Sequence, residues 1–324
     1  MRQRWRATKI GQALGLTLVI LLLCLGWGAG AMAAEESLLS GAIEFHVHTA
    51  PDVVPRLWND RQLVEAAEAA GLRAVVLKNH VLPTGDRAQL AQERVQRLEV
   101  FGGVVLNEAV GGINPEAVRV MSRISGGRGK VVWLPTLDAA YHRQKFGNGE
   151  GGISLLQGDR LSRELELILY SVRDRQLVLG TGHVSPAEIL AVARRARELG
   201  INKLLITHAM AEVPGLSLAQ MQTLADLGAY LELDYVNALM GETAVDPAHR
   251  AWRKVTLEEM AEAIRAIGSE QIILSTDLGR PQDPNPIEGY AAFIRGLRNQ
   301  GISEEDLKRM TQENPARLLD LPWE

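Results

Sequence analysis

The chain has 324 residues, a formal net charge of −4 and a single cysteine. An acidic chain without a basic block argues against nucleic acid or an anionic membrane surface as partner. The lone cysteine, Cys24, rules out a disulfide framework, and the 291 residues of 34–324 suffice for one α/β barrel, which needs about 250 residues.

The first segment reads as a targeting sequence. Arg2, Arg4, Arg6 and Lys9 form a basic start, Leu14 to Trp27 is apolar, and Ala31-Met32-Ala33 has the small-x-small form of a cleavage site. Residues 1–33 are therefore predicted to be a secretory signal peptide, which makes the chain periplasmic or secreted. The alternative is an uncleaved anchor through residues 10–33. Loss of those four basic residues would take the formal charge from −4 to −8 and would remove Cys24.

Beyond that segment one rhythm recurs. Short β-branched or aliphatic runs fall at 43–48, 74–79, 103–107, 130–135, 177–181, 203–207, 229–234 and 272–276. Ala/Glu/Arg/Leu stretches of helical period separate most of them. Ser185-x-x-Glu188, Ser217-x-x-Gln220 and Thr256-x-x-Glu259 are capping boxes, and Asn114-Pro115 is a cap followed by proline. Gly71, Gly200, Gly228 and Gly268 stand where helices should end. Eight strands alternating with helices predict a (β/α)8 TIM-like barrel over 34–324, with long catalytic-face loops at 137–160 and 235–255. An open doubly wound sheet is the alternative, but no Gly-x-Gly-x-x-Gly turn follows the first strand.

Chemistry collects at the ends of these runs. Five of the seven histidines (His46, His48, His80, His183 and His208) stand where an apolar run finishes, and Asp277 ends the last run. In a barrel those ends form the active face. His46 and His48 lie two apart on one strand, so both point to one side and can grip one ion. Neutral imidazoles with a carboxylate suit zinc, and also manganese or ferrous iron.

With Phe45-His46-Val47-His48, His183, His208 and Thr276-Asp277 in this order, the chain resembles the amidohydrolase superfamily of metal-dependent hydrolases. Leu77-Lys78-Asn79-His80, Gly111-Gly112-Ile113-Asn114-Pro115, Gly180-Thr181-Gly182-His183 and Asn314-Pro315-Ala316 resemble an uncharacterised branch of it. The resemblance implies His46 and His48 on one metal, with His183 and His208 completing it or holding a second. It also implies that Asp277 is a ligand that doubles as general base. Many two-metal members carry a carboxylated lysine at the end of strand four, where this chain has Val131 to Thr136 and no lysine.

Lys78 ends strand two instead. Desolvation there would lower its pKa, and the neutral amine could take up carbon dioxide and bridge two ions. A charged Lys78 paired with Glu108 or Asp277 is the other reading. One or two divalent ions are thus expected on His46, His48, Lys78, His183, His208 and Asp277.

The expected chemistry is hydrolysis of a C–N or ester bond: metal-activated water attacks an amide, lactone or ester-like bond of a small molecule. Asp277 would move the proton, and His208, if not a ligand, would polarise the carbonyl. His80 would orient substrate, act as an acid, or cap the loop before Pro83. Arg56, Asn107, His142, Arg143, Asn237 and Arg280 stand on the loops as substrate contacts, the arginines suiting a carboxylate or phosphate. Phosphoester hydrolysis of the polymerase-and-histidinol-phosphatase type, non-oxidative decarboxylation, and metal or solute binding without turnover are the alternatives. Assembly into a homo-oligomer stays open.

Overall fold

The computed structural model describes residues 38–147 and 149–322. The expected signal peptide and the alternative anchor lie outside the described residues. Among those described, no helix is long and apolar enough to cross a membrane.

Eight parallel strands follow one another around a single sheet in chain order. They are β1 (Ile43–His48), β2 (Ala74–Lys78), β3 (Glu99–Val105), β4 (Gly129–Trp133), β5 (Val178–Gly180), β6 (Leu204–Ile206), β7 (Tyr230–Asp234) and β8 (Ile272–Ser275). Helices separate them and pack outside, with Leu63, Val64, Ile168, Leu169, Ile189, Val192 and Met260 buried against the sheet. The three predicted capping boxes and the Asn114 cap form as read, and Gly71, Gly200, Gly228 and Gly268 follow their helices at positive φ.

The seam between β8 and β1 is closed just past the strand end. Asp277 N donates to His46 O at 2.8 Å, and His48 N donates to Leu278 O at 2.9 Å. Below these bonds, the Glu44 carboxyl accepts from His46 N (3.0 Å) and Thr276 N (3.1 Å). The Tyr290 hydroxyl sits between the carbonyls of Ile43 and Leu274. Burial pushes the Glu44 carboxyl up to about 8, so it is protonated at neutral pH. A bulge in β1 between Glu44 and Val47 breaks the strict alternation. Phe45 therefore joins the apolar interior of the barrel while the next residue, His46, also turns inward.

That interior is filled from below. Ile43, Phe45, Val76, Phe101, Val131 and Leu205 pack with Ala316, Leu318 and Leu319 of the helix Asn314–Leu319. Trp133 fills the level beneath the histidines and is fully buried. Its indole explains the one displaced strand. The sequence pattern placed strand three at 103–107, whereas β3 begins at Glu99 and runs through Gly102 and Gly103. A Cβ on Gly103 would lie 1.9 Å from the Val131 carbonyl oxygen and 2.8 Å from the Trp133 ring. Gly103 marks a close approach inside the barrel and Gly102 one to the Thr84 carbonyl oxygen, 2.3 Å from where its Cβ would lie; neither marks a turn.

The two long loops carry structure of their own. Residues 137–160 include the helix Ala140–Phe146, and the strand pair Leu156–Gln157 and Arg160–Leu161 extends from the same loop. The loop 235–255 holds the short helix Val236–Leu239 and a 3-10 turn at Pro247–His249.

Candidate metal centre

The histidines and Asp277 are aimed by unusual backbone. His208 leaves β6 with φ of +55° and Asp277 leaves β8 with φ of +51°, a conformation costly for residues other than glycine. Such strain persists where the surroundings over-determine it, and it collects at functional sites. Two glycines let neighbouring chain come close. Beside His183, Gly182 has φ of +61° and a Cβ there would lie 2.3 Å from Leu134 O; on Gly279 it would lie 2.0 Å from His48 O.

The donor atoms converge. Asp277 Oδ1 lies 3.0 Å from both His46 Nε2 and His48 Nε2, and Asp277 Oδ2 lies 3.6 Å from His208 Nε2. Lys78 Nζ is 2.8 Å from His46 Nε2 and sits 5.4 Å from the centre of the Trp133 ring. The His183 and His208 rings are 5.2 Å apart. His46, His48 and Asp277 form one set that could hold an ion; His46, His208, Glu232 and Asp234 form a second, deeper one.

The other edge of each ring decides how the second set is read. His208 Nδ1 lies 2.7 Å from Asp234 Oδ2, while His46 Nδ1 faces Glu232 Oε2 at 3.3 Å and Asp234 Oδ1 at 3.6 Å. A carboxylate behind Nδ1 holds the hydrogen there and leaves the Nε2 lone pair for a metal. Glu232 and Asp234 therefore orient the histidines from beneath. The donor set fits a divalent ion on a second observation: His183 Nε2 is buried and meets no protein partner among the described residues. An orphaned imidazole nitrogen beside other imidazoles and a carboxylate is what a ligand position leaves when only protein atoms are counted.

The electrostatics agree. Burial lowers the pKa of His46, but the Asp277 and Glu232 carboxylates overcome it and raise it to about 10. These carboxylates thus draw positive charge to one point, a proton or a metal ion. Burial, then the Arg56 guanidinium, hold His48 well below the usual histidine range, and burial with His208 does the same for His183. Both rings are neutral at pH 7, as ligands must be. Burial pushes Asp277 up, yet His46 and its hydrogen bonds win and hold the carboxyl well below its ordinary value. Burial lowers Lys78 as well. Glu232 is held low by His46 against its burial, while burial and then the Glu232 carboxylate beside it raise Asp234.

Above the centre lies a cleft of about 610 Å³, its open mouth included, lined by His48, His80, His183, His208 and Asp277. Of the expected substrate contacts, Arg56, Asn237 and Arg280 line it. Arg56 is anchored by Asp52 at 2.7 Å and reaches His48 Nδ1 at 3.3 Å; Arg280 pairs with Asp246 at 3.2 Å. The other three lie elsewhere. Asn107 is buried and spends its amide on His80 O and Thr136 Oγ1, and its carbonyl on Thr136 N. Arg143 binds Asp138 and Glu108, so Glu108 is not the partner of Lys78. His142 is buried behind His183, with the two Nδ1 atoms 3.0 Å apart.

Three further cleft residues, Met240, His249 and Trp252, come from the loop 235–255. No apolar period marks that loop, so only the Asp246-Pro247 cap before His249 could have pointed to any of them.

Eight parallel strands with imidazoles and a carboxylate gathered at their C-terminal ends define an amidohydrolase-superfamily barrel, a metal-dependent hydrolase. Residues 180–319, which hold His183, His208 and Asp277, match the Phosphotriesterase family model. Residues 41–232 match the model described as a family of unknown function (DUF6282), and the chain belongs to that family.

No curated protein matches the chain in sequence. Solved structures share its fold. The probable dipeptidase PvdM from Pseudomonas aeruginosa aligns at a TM-score of 0.60 and 13% identity, over 90% of this chain and 98% of that one. A putative 2-pyrone-4,6-dicarboxylic acid hydrolase from Pseudomonas putida aligns at 0.57 and 16% identity, over 88% and 99%. An organophosphorus hydrolase from Deinococcus radiodurans aligns at 0.54 and 16% identity, over 87% and 93%.

Proposed function

We propose that the protein hydrolyses an amide, lactone or ester-like bond of a small molecule, with divalent metal held by His46, His48 and Asp277 on one side and by His183 and His208 on the other. The observation that carries this reading is the position of Asp277. Its two oxygens face different sets of Nε2 atoms, and its side chain still opens to the cleft with 19% exposure. A divalent ion there supplies a polarised water and a Lewis acid at neutral pH.

The rest is the work of this chain's residues. Asp277, ionised and open to the cleft, accepts the proton of the attacking water and returns it to the leaving group. His80 has a fixed tautomer. The Thr136 hydroxyl, fully buried, accepts from Asn107 Nδ2 at 2.8 Å and lies 2.9 Å from His80 Nδ1. Its hydrogen needs an acceptor, and His80 Nδ1 is the one in reach, so His80 carries its own hydrogen on Nε2. Burial, with His48 and Lys78 beside it, keeps His80 neutral. It therefore acts as a neutral donor to a developing oxyanion rather than as an acid. Arg280 at the mouth suits a substrate carboxylate.

Lys78, buried and with a lowered pKa, is proposed to accept carbon dioxide and join the two sides as a carbamate. Zinc is the first metal to try, then manganese and ferrous iron. The basic start and Ala31-Met32-Ala33 support export of the chain. Kinetics of the metal-loaded protein on lactones, N-acyl amino acids, dipeptides and phosphotriesters test the reading. Turnover of a carboxylate-bearing lactone or amide is expected; turnover of phosphotriesters alone would overturn the choice of bond.

A further inference from the structure

His183 is backed differently from the other histidines of the centre. His46 and His208 turn Nδ1 toward Glu232 and Asp234, two carboxylates carried on β7. His183 Nδ1 instead lies 3.0 Å from Nδ1 of His142, with ring centroids 4.9 Å apart and planes within 29°. The separation of the rings exceeds that of their facing nitrogens, so the contact runs edge to edge, as a hydrogen bond requires.

One hydrogen must serve this pair. If His142 donated, His183 would carry its hydrogen on Nε2, a buried atom with no protein acceptor among the described residues. The hydrogen therefore sits on His183 Nδ1 and is donated to His142 Nδ1. That leaves the Nε2 lone pair of His183 directed to the centre.

His142 does not belong to a barrel strand. It lies on the helix Ala140–Phe146 in the loop after β4, and its ring rests against Phe146 (5.5 Å) and Trp252 (5.8 Å). Trp252 comes from the loop after β7 and stacks on Phe146 at 4.0 Å and 20°. The two mouth loops thus meet in an aromatic joint built around the ring that backs His183.

We propose that His142 is a positioning residue: by accepting the Nδ1 hydrogen of His183 it fixes the tautomer and ring plane in which His183 offers Nε2 to a metal ion. This rests on reading His183 as a ligand, as proposed above. It follows that metal affinity at His183, just past the end of β5, is set from the two mouth loops, and that undocking them loosens the ion.

Titration of the metal-free protein with Zn²⁺ against a chromophoric chelator tests this in wild type, His142→Phe and His142→Asn. The asparagine Oδ1 takes the place of His142 Nδ1 and accepts the same hydrogen; phenylalanine fills the space without an acceptor. The phenylalanine variant is expected to bind the ion on His183 about 10–100-fold more weakly, and the asparagine variant within about threefold of wild type. Packing alone would favour the larger aromatic ring, so rescue by asparagine separates the two roles.

Should His142→Phe not fold, as judged by circular dichroism, Trp252→Leu carries the test. It keeps both imidazoles but frees the His142 ring, and a several-fold loss, at least about threefold, is expected. A phenylalanine variant that binds as wild type does, an asparagine variant that fails to rescue, or a Trp252→Leu protein without loss overturns this inference alone. A wild type that binds no metal overturns the functional reading together with it.

Discussion

The two sides of Asp277 are built from the same residue types but to different tolerances. On the β1 side, His46 and His48 each bring Nε2 to 3.0 Å from one carboxylate oxygen, and Lys78 stands 2.8 Å from His46. On the side of β5 and β6, His208 stands 3.6 Å from the other oxygen, and His183 is backed by a loop imidazole in place of a carboxylate. The first side is backed by carboxylates of the barrel interior at His46 and by Arg56 at His48, whereas the ring behind His183 comes from the helix Ala140–Phe146 of a mouth loop. Affinity should follow that order, with the first ion tighter than the second.

The largest expected effect removes the residue both sides share. Asp277→Asn keeps the shape but can neither take up the proton nor offer two anionic oxygens. Turnover should fall by about 10²–10⁴-fold, read as kcat on whichever substrate the panel finds. A variant within tenfold of wild type would mean that proton transfer runs through another group.

Next comes pH, which acts on the first side. His46 has its pKa raised to about 10, so below that pH it is protonated and metal must displace the proton. Affinity of the tighter ion should rise as pH rises, by about tenfold per unit, and hence about 100-fold between pH 6 and 8. His48 and His183 lie well below 6.5 and add nothing in that window. Chelator competition at the two pH values reads the slope, and a flat result would contradict the charge assigned to His46.

Smaller still is the effect of Glu232→Gln, which weakens the acceptor behind His46 without touching the cleft. It should cost about 10–100-fold in affinity for the tighter ion and leave the weaker one nearly unchanged. Equal losses at both sites would erase the distinction between the sides.

The sequence made one of these sides more legible than the other. His46-Val47-His48 and Asp277 stand where apolar runs finish, which made them legible, although the bulge in β1 and the positive φ of Asp277 that aim them were not. Eight strands and their capped helices followed from period and glycine placement. His142 was visible only as a loop histidine, because its partner lies 41 residues away and the contact depends on how a loop folds back. Asn107 ended a run and looked free to meet substrate, yet Thr136 and His80 claim its amide. Strand three was read as starting at 103 because nothing local shows that the strand runs on through Gly102 and Gly103, with Thr84 against one and Trp133 against the other.

The most direct measurement is metal content per chain after equilibration with Zn²⁺ and removal of free ion, in wild type, in the double variant His46→Asn/His48→Asn and in Lys78→Met. Two ions in wild type, loss of the tighter one in the double variant and loss of the weaker one in Lys78→Met is the predicted result. A wild type without bound metal, or a double variant that holds as much as wild type, would contradict the assignment of this centre.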